Sequence, residues 1–268
     1  MPERSDFYDT RYSTLSNEVR AAIRREVFGE DIGQVSWLTA DDYRTFFAWL
    51  DLHADQHVLD VACGSGGPAL LLARTVGCRV TGIDNNASGI TTATQTAEAA
   101  GMSTRVHFHV ANAEAPLPFD PDAFDAITCF SAIGHFPNRL QVLRDWYRLV
   151  KPHGSILYTD PLVVTGPISN EEVARRSTTG FLQFVPPGEN EKLLAQSGFR
   201  LVRHADLTEN VMRLAERQME VRQRRRDQLI QIEGQERFDA TLAFHAVVHQ
   251  LTHERRLSKM VYLAEKPT

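Results

Sequence analysis

Two carboxylates and two glycines mark the place where this sequence can hold a ligand. In VLDVACGSGGPALLLAR, Asp60 stands just before a turn containing Gly64 and Gly66, and Asp84 follows twenty residues after Gly64. Glycines let a ligand lie against bare backbone. The helix opening behind such a turn offers unpaired N–H groups at a positive dipole end. Gly64, Gly66 and Ala69 satisfy the G-x-G-x-x-G/A dinucleotide pattern, and Asp84 is spaced to accept from a ribose, so an NAD-dependent oxidoreductase is allowed. Asp60 argues otherwise. A carboxylate at the entrance of the turn repels a pyrophosphate and suits a ligand with a cationic amino group.

Histidines are the candidate proton acceptors, because imidazole titrates near neutrality. His135, in SAIGHF, is the first choice as a general base and His249 the second. His245, His249 and His253 recur every fourth residue in FHAVVHQLTH, on one helix side with Phe238 and Leu242. Either this stripe is a solvated or core-edge face, or it is a surface turned toward a substrate, with His245 among the contacts. No Cys or Glu at obvious spacing completes a zinc set, so no metal is expected.

These residues need elements to position them. Apolar runs at 57–62, 78–84, 105–112, 124–130 and 155–160 read as strands, and helical patterns at 68–76, 88–101 and 139–150 fall between them. Alternation of this kind predicts an α/β, doubly wound sheet covered on both faces. Before it, Leu15, Val19, Ile23 and Val27 predict a helix over 15–28, and Thr39 caps another. After it come helices at 170–177 and 189–198, a strand at 199–207, a helical stretch from about 209 to 255 broken near Gly234, and a last strand at 257–266. The net charge of -5 argues against nucleic acid as the main partner. Three cysteines fit no disulfide framework, which favours a reducing cytoplasm. No run is long and apolar enough for a membrane span, and MPERSDFYDTRY has no apolar core, so no secretion leader is expected.

Five stretches, in order, resemble the class I S-adenosylmethionine-dependent methyltransferases: VLDVACGSGG, GIDNN, ANAEAPLPF, FDAITCFSAIGHF and RLVKPHGSILYTD. A dehydrogenase would share only the first two. The resemblance is close over about residues 57–160 and covers the whole chain in outline. It implies a Rossmann-like sheet of seven strands, the last antiparallel, and S-adenosyl-L-methionine as cofactor. Gly64 and Gly66 would face its amino-acid part and ribose, Asp60 its ammonium, and Asp84 its ribose hydroxyls. Asn85 and the Ala113 N–H would meet the adenine. Asn112 stands where many relatives have Asp, and it would still accept from the adenine amino group. Phe130 or Ser131 would border the sulfonium.

The flanks resemble the natural-product-type, small-molecule branch of that family. Residues 1–56 would then be a helical cover, 57–268 the cofactor-binding domain, and the stretch at about 209–255 a lid, with Tyr12 and Trp37 as walls for the substrate. The activity implied is methyl transfer to an oxygen or nitrogen of a small-molecule acceptor, in secondary metabolism. A cofactor-binding protein without transfer activity is the alternative from another class. Nothing in the sequence fixes the acceptor or the oligomeric state.

Overall fold

Strand-length apolar runs interleaved with helices place one mixed sheet at the centre of the molecule. The computed structural model describes residues 4–178 and 180–268, with side chains from Tyr8 onward. The strands are β1 (His57–Val61), β2 (Arg79–Asp84), β3 (Val106–Val110), β4 (Phe124–Cys129), β5 (Val150–Val164), β6 (Arg200–Asp206) and β7 (Leu257–Glu265). They lie in the order β3-β2-β1-β4-β5-β7-β6. β1 to β5 pair in parallel, and β7 runs antiparallel to both β5 and β6. Side chains alternate across the sheet. Val58 and Val80 pack under α3 (Ala40–Leu50) and α4 (Gly67–Val76), in a cluster with Tyr43, Phe46 and Leu70. Leu59 and Ile127 face α6 (Arg139–Leu149) through Leu143 and Trp146. Strand order reverses between β1 and β4, and in such sheets ligands bind beyond the carboxyl ends at that point.

Several boundaries differ from the sequence pattern. The N-terminal segment forms α1 (Arg4–Ser13), and the helix expected over 15–28 begins only at α2 (Glu18–Phe28). The Asn17 side chain caps α2 by accepting from the Val19 and Arg20 N–H groups, which leaves Leu15 in the connection. Thr39 forms a reciprocal capping box with Asp42, as the sequence predicts for a cap there. β5 is longer than the expected 155–160 at both ends: Val150 pairs with Phe124 of β4, and β7 goes on pairing beyond Asp160, at Val163 and Val164. Pro161 falls at the register shift between them, where a missing N–H breaks no ladder bond.

Beyond β5, α7 (Asn170–Arg176) and α8 (Glu189–Gln196) lead to β6. The excursion between β6 and β7 is three helices, α9 (Thr208–Arg224), α10 (Arg226–Glu233) and α11 (Gln235–His253). They are broken at Gly234, with φ 79°, and also at Arg225. Leu214, Val221, Leu229 and Phe238 from this excursion pack on Ile23, Val27 and Phe28 of α2, which ties it to the N-terminal helices.

Candidate active site

Residues immediately after β1 and β4 take the left-handed backbone that opens the crevice: Ala62 has φ 56° and Ser131 φ 60°. Between β1 and α4 the turn is closed by Asp84. Its Oδ2 accepts from the Gly64 N–H at 2.9 Å and its Oδ1 from the Asn86 N–H at 2.8 Å. Burial raises the Asp84 carboxyl above the usual range, and the backbone N–H groups oppose that rise. Gly66 has φ 78°, and a Cβ there would meet the Phe108 ring at 2.6 Å. Glycine is therefore needed at Gly66 for both conformation and space.

Asp60, 2% exposed at the end of β1, uses one carboxylate oxygen to accept from the Thr128 hydroxyl at 2.8 Å. The other oxygen has no hydrogen-bond partner. Burial pushes the Asp60 carboxyl up to about 7, the Thr128 bond opposing and nearby Asp84 adding to the rise. Asp60 lines a small recess with Gly64, Tyr12, Tyr43 and Phe130. An unsatisfied buried acceptor facing a recess is costly unless a donor arrives there.

Beside the recess lies a cavity of about 330 Å³, bordered by Asp84, Asn85, Asn112, Ala113, Phe130 and Ser131. Among the described residues, nothing accepts from the Ala113 N–H. The Asn112 Oδ1 already accepts from the Glu114 N–H at 3.0 Å, so part of its acceptor capacity is spent on its own turn. Tyr12, read from sequence as a substrate wall, lies instead against the glycine turn. It lines both the recess and this cavity, and a Cβ on Gly64 would meet its hydroxyl at 2.7 Å. The reason is α1, which packs along α5 (Ala87–Ala99) over the turn.

A second cavity, of about 160 Å³, is walled by Trp37, Phe244, His245, Leu229 and several arginines. The His245 ring meets Trp37 edge-on, with centroids 5.7 Å apart. Burial, followed by the charges of Arg11 and Arg222, holds its imidazolium well below the usual range. Tyr8, Val35, Ser131 and His135 line both this cavity and the Asp84 cavity.

At that junction, His135 stands on a 3-10 turn (Ile133–His135) after β4. Its Nδ1 lies 2.9 Å from the Phe181 carbonyl, and its Nε2 lies 3.1 Å from the Tyr8 hydroxyl. A carbonyl can only accept, so Nδ1 carries a proton, and in the neutral ring Nε2 accepts from the Tyr8 hydroxyl. The Phe181 loop is held by Arg139, which donates to the Gln183 carbonyl at 2.7 Å and pairs with buried Asp160 at 2.6 Å. His249 is not brought to the junction. It stacks on His253 at 5.7 Å and borders none of these cavities. One helical turn, about 5.4 Å, carries α11 away from the cavity between His245 and His249.

Among the residues of the site that escaped the sequence reading are Tyr8, Arg176 and Lys259. Lys259 lies fully buried in β7 and donates to the Ser131 hydroxyl at 2.8 Å and to the Trp37 carbonyl at 3.2 Å. Burial pushes its ammonium down to about 7. A lysine inside the apolar strand LSKMVYLAE was a readable signal, since lysine is almost never fully buried without a role.

Comparison with known proteins decides the family. Residues 58–154 match a family model described as a methyltransferase domain. The chain is 32% identical to the O-methyltransferase resE of Aspergillus sclerotiorum, over 76% of this chain and 78% of that one. The chain belongs to the class I S-adenosylmethionine-dependent methyltransferases. This methyltransferase is also 36% identical to the methyltransferase GfsG of Streptomyces halstedii, over 49% of this chain and 46% of that one, so the match spans less than half of that relative. Its fold is shared with phosphoethanolamine N-methyltransferase 2 of Haemonchus contortus. That structure, in complex with phosphomonomethylethanolamine and S-adenosylhomocysteine, superimposes with a TM-score of 0.82 at 18% identity, over 97% of this chain and 61% of that one. The methyltransferase's cofactor is S-adenosyl-L-methionine, and its residues fit that group. The unpartnered oxygen of Asp60 suits an ammonium, and Gly64 borders the same recess, whereas Gly66 borders none of these cavities.

Proposed function

We propose that this chain transfers the methyl group of S-adenosylmethionine to an oxygen or nitrogen of a small molecule held in the Trp37 cavity. The observation that carries the reading is the junction. The cavity bounded by Asp84 and the one bounded by Trp37 share Tyr8, Val35, Ser131 and His135, so a donor in one and an acceptor in the other meet there. Asp84 would hold the ribose hydroxyls, Asp60 the ammonium, Asn85 and Ala113 the adenine, and Phe130 the region of the sulfonium. When bound, the cofactor supplies an activated methyl on a good leaving group. The protein's part is then alignment, exclusion of water and removal of one proton.

His135 is the proton acceptor in this reading. Its Nδ1–H is fixed on the Phe181 carbonyl, so in the neutral ring Nε2 is the basic nitrogen, and it faces the junction through Tyr8. An acceptor hydroxyl takes the place of the Tyr8 hydroxyl or passes its proton through it. Lys259 holds the Ser131 hydroxyl and the Trp37 backbone in place, which fixes one wall of each cavity. The helices α9 to α11 act as a lid, supported by Gln218, Arg222, Leu229, Phe244 and His245, all of which border the Trp37 cavity. An O-methyltransferase relative supports oxygen as the receiving atom. Work in the specialised metabolism of a reducing cytoplasm is consistent with three free, buried cysteines. No helix among the described residues is long and apolar enough to cross a membrane.

The deciding experiment is a screen of phenols, amines and carboxylic acids with the purified protein and S-adenosylmethionine, read by mass for one added methyl and for S-adenosylhomocysteine. Stoichiometric appearance of both is the expected result. Tight S-adenosylhomocysteine binding without turnover on any compound would favour the cofactor-binding alternative.

A further inference from the structure

One charged side chain at the Trp37 cavity has no hydrogen-bonded or ion-paired partner among the described residues. Arg176, at the end of α7, is 5% exposed and borders the cavity. No carboxylate, carbonyl or hydroxyl among the described residues bonds it, and its buried Nε has no hydrogen-bond partner. Its guanidinium carbon lies 5.3 Å from the centroid of the Phe244 ring, and Tyr8 and Asp160 favour its charge from nearby without bonding it. Four other arginines of the region differ. Arg20 and Arg222 both pair with Glu233, Arg24 with Asp31, and Arg139 with Asp160. A buried guanidinium left without an anion is unfavourable, and guanidinium geometry matches a carboxylate or phosphate through two parallel N–H bonds.

The lining carries the same sign, with Glu233 and Asp31 pairing three of its arginines from outside the lining. Arg11, Arg20, Arg24, Arg176 and Arg222 all border this cavity, and no Asp or Glu does. That is a local inversion in a chain whose net charge is -5. Apolar and aromatic walls, Trp37, Phe244, Leu229 and Ile23, complete the space. Arg176 borders neither the Asp84 cavity nor the Asp60 recess, so its missing anion belongs to whatever enters beside Trp37 and not to the cofactor's carboxylate.

We infer that Arg176 is the specificity residue for an anionic acceptor, a small molecule with an aromatic or apolar body that carries a carboxylate or phosphate against the guanidinium while its methyl-accepting atom reaches the junction at Ser131 and His135. The word acceptor rests on the methyltransferase reading; the anion site does not. Burial lowers the Arg176 guanidinium only to about 10, so it is charged at neutral pH.

The test measures binding to the full chain saturated with S-adenosylhomocysteine, by calorimetry and by Trp fluorescence. The probes are para-coumarate, ferulate and vanillate, their primary amides, and phenyl phosphate. The acids should bind about tenfold or more tighter than the amides, as a charge-assisted bidentate contact requires. Arg176→Met should abolish that preference while leaving S-adenosylhomocysteine affinity unchanged, and Arg176→Lys should restore part of it. Phenyl phosphate binding more tightly than the carboxylates assigns a phosphate, and the reverse assigns a carboxylate. Equal affinity for acids and amides in the wild-type protein overturns the inference, as does saturable binding by none of them or a preference that survives Arg176→Met. Should Arg176→Met fail to fold, the wild-type comparison of acid and amide still decides. Methylation of neutral phenols alone would leave the methyltransferase reading intact and remove the anion site. Acid binding without turnover on any compound would do the reverse.

Discussion

The two cavities that meet at Tyr8, Val35, Ser131 and His135 are opposite in charge and in origin. The cofactor side presents Asp84 and Glu114, with Asp60 in the adjoining recess, and apart from Tyr8, Tyr12 and Val35 the walls of its cavity come from residues 62 to 136. The acceptor side presents five arginines and no carboxylate, gathered from α1, α2, the Trp37 loop, α7, α9 and α11. The first is built where strand ends converge, so neighbours in sequence are neighbours in space. The second is assembled only when the N-terminal helices close on the excursion between β6 and β7. A sheet fixes one ligand, and the cover laid over it selects the other.

The sharpest way to break this comparison is to disable the junction alone. His135→Ala should lower turnover of an acceptor hydroxyl by roughly 10²–10⁴-fold, the range for loss of a general base. S-adenosylhomocysteine affinity should stay near the wild-type value. Single-turnover kinetics beside calorimetry checks this, and near-normal turnover would move the base elsewhere or point to a neutral amine acceptor.

The next effect belongs to the cofactor side alone. Asp84→Ala should weaken S-adenosylhomocysteine binding by about tenfold or more, since charged hydrogen bonds contribute about 1.5–3 kcal/mol each. It should also lower the melting temperature by a few degrees, because the Gly64 and Asn86 N–H groups lose their acceptor. Unchanged affinity in calorimetry would show that the ribose lies elsewhere.

A smaller effect follows from Asp60, whose carboxyl stands at about 7 in the protein. Only its ionised form attracts an ammonium. Cofactor affinity should therefore be full above that value and should fall as pH drops through it, by about tenfold between about pH 8 and about pH 6. The sign for folding is the reverse. A carboxyl raised by burial destabilises the empty fold most at high pH, and the penalty is relieved as pH falls from about 7 toward its ordinary value. Asp60→Asn should flatten the binding profile. A wild-type profile already flat over that range would remove Asp60 from the cofactor site.

The contrast between the cavities also explains what could be read in advance. Asp60, Gly64, Asp84 and Ala113 could be read toward one crevice because each sits at a fixed offset from a strand end, and short apolar runs locate strand ends well. Tyr12 was legible as an aromatic near the site and illegible as to which cavity it would line, since that depends on where α1 lies over α5. His249 shows the complementary failure. A stripe at i, i+4 shares one helix side, yet the three histidines become successively less buried as α11 leaves the cavity, with His245 enclosed and His253 exposed.

The sequence by itself determined the order of strands and helices, the glycine turn and the acids at the ends of β1 and β2, because these follow from local periodicity and backbone conformation. Only the tertiary structure decided the acceptor side. Arg176 acquires its meaning from having no carboxylate bonded to it, and Lys259 acquires its meaning from Ser131, 128 positions away. Whether a buried charge is paired is a property of the three-dimensional neighbourhood. No spacing along the chain encodes it.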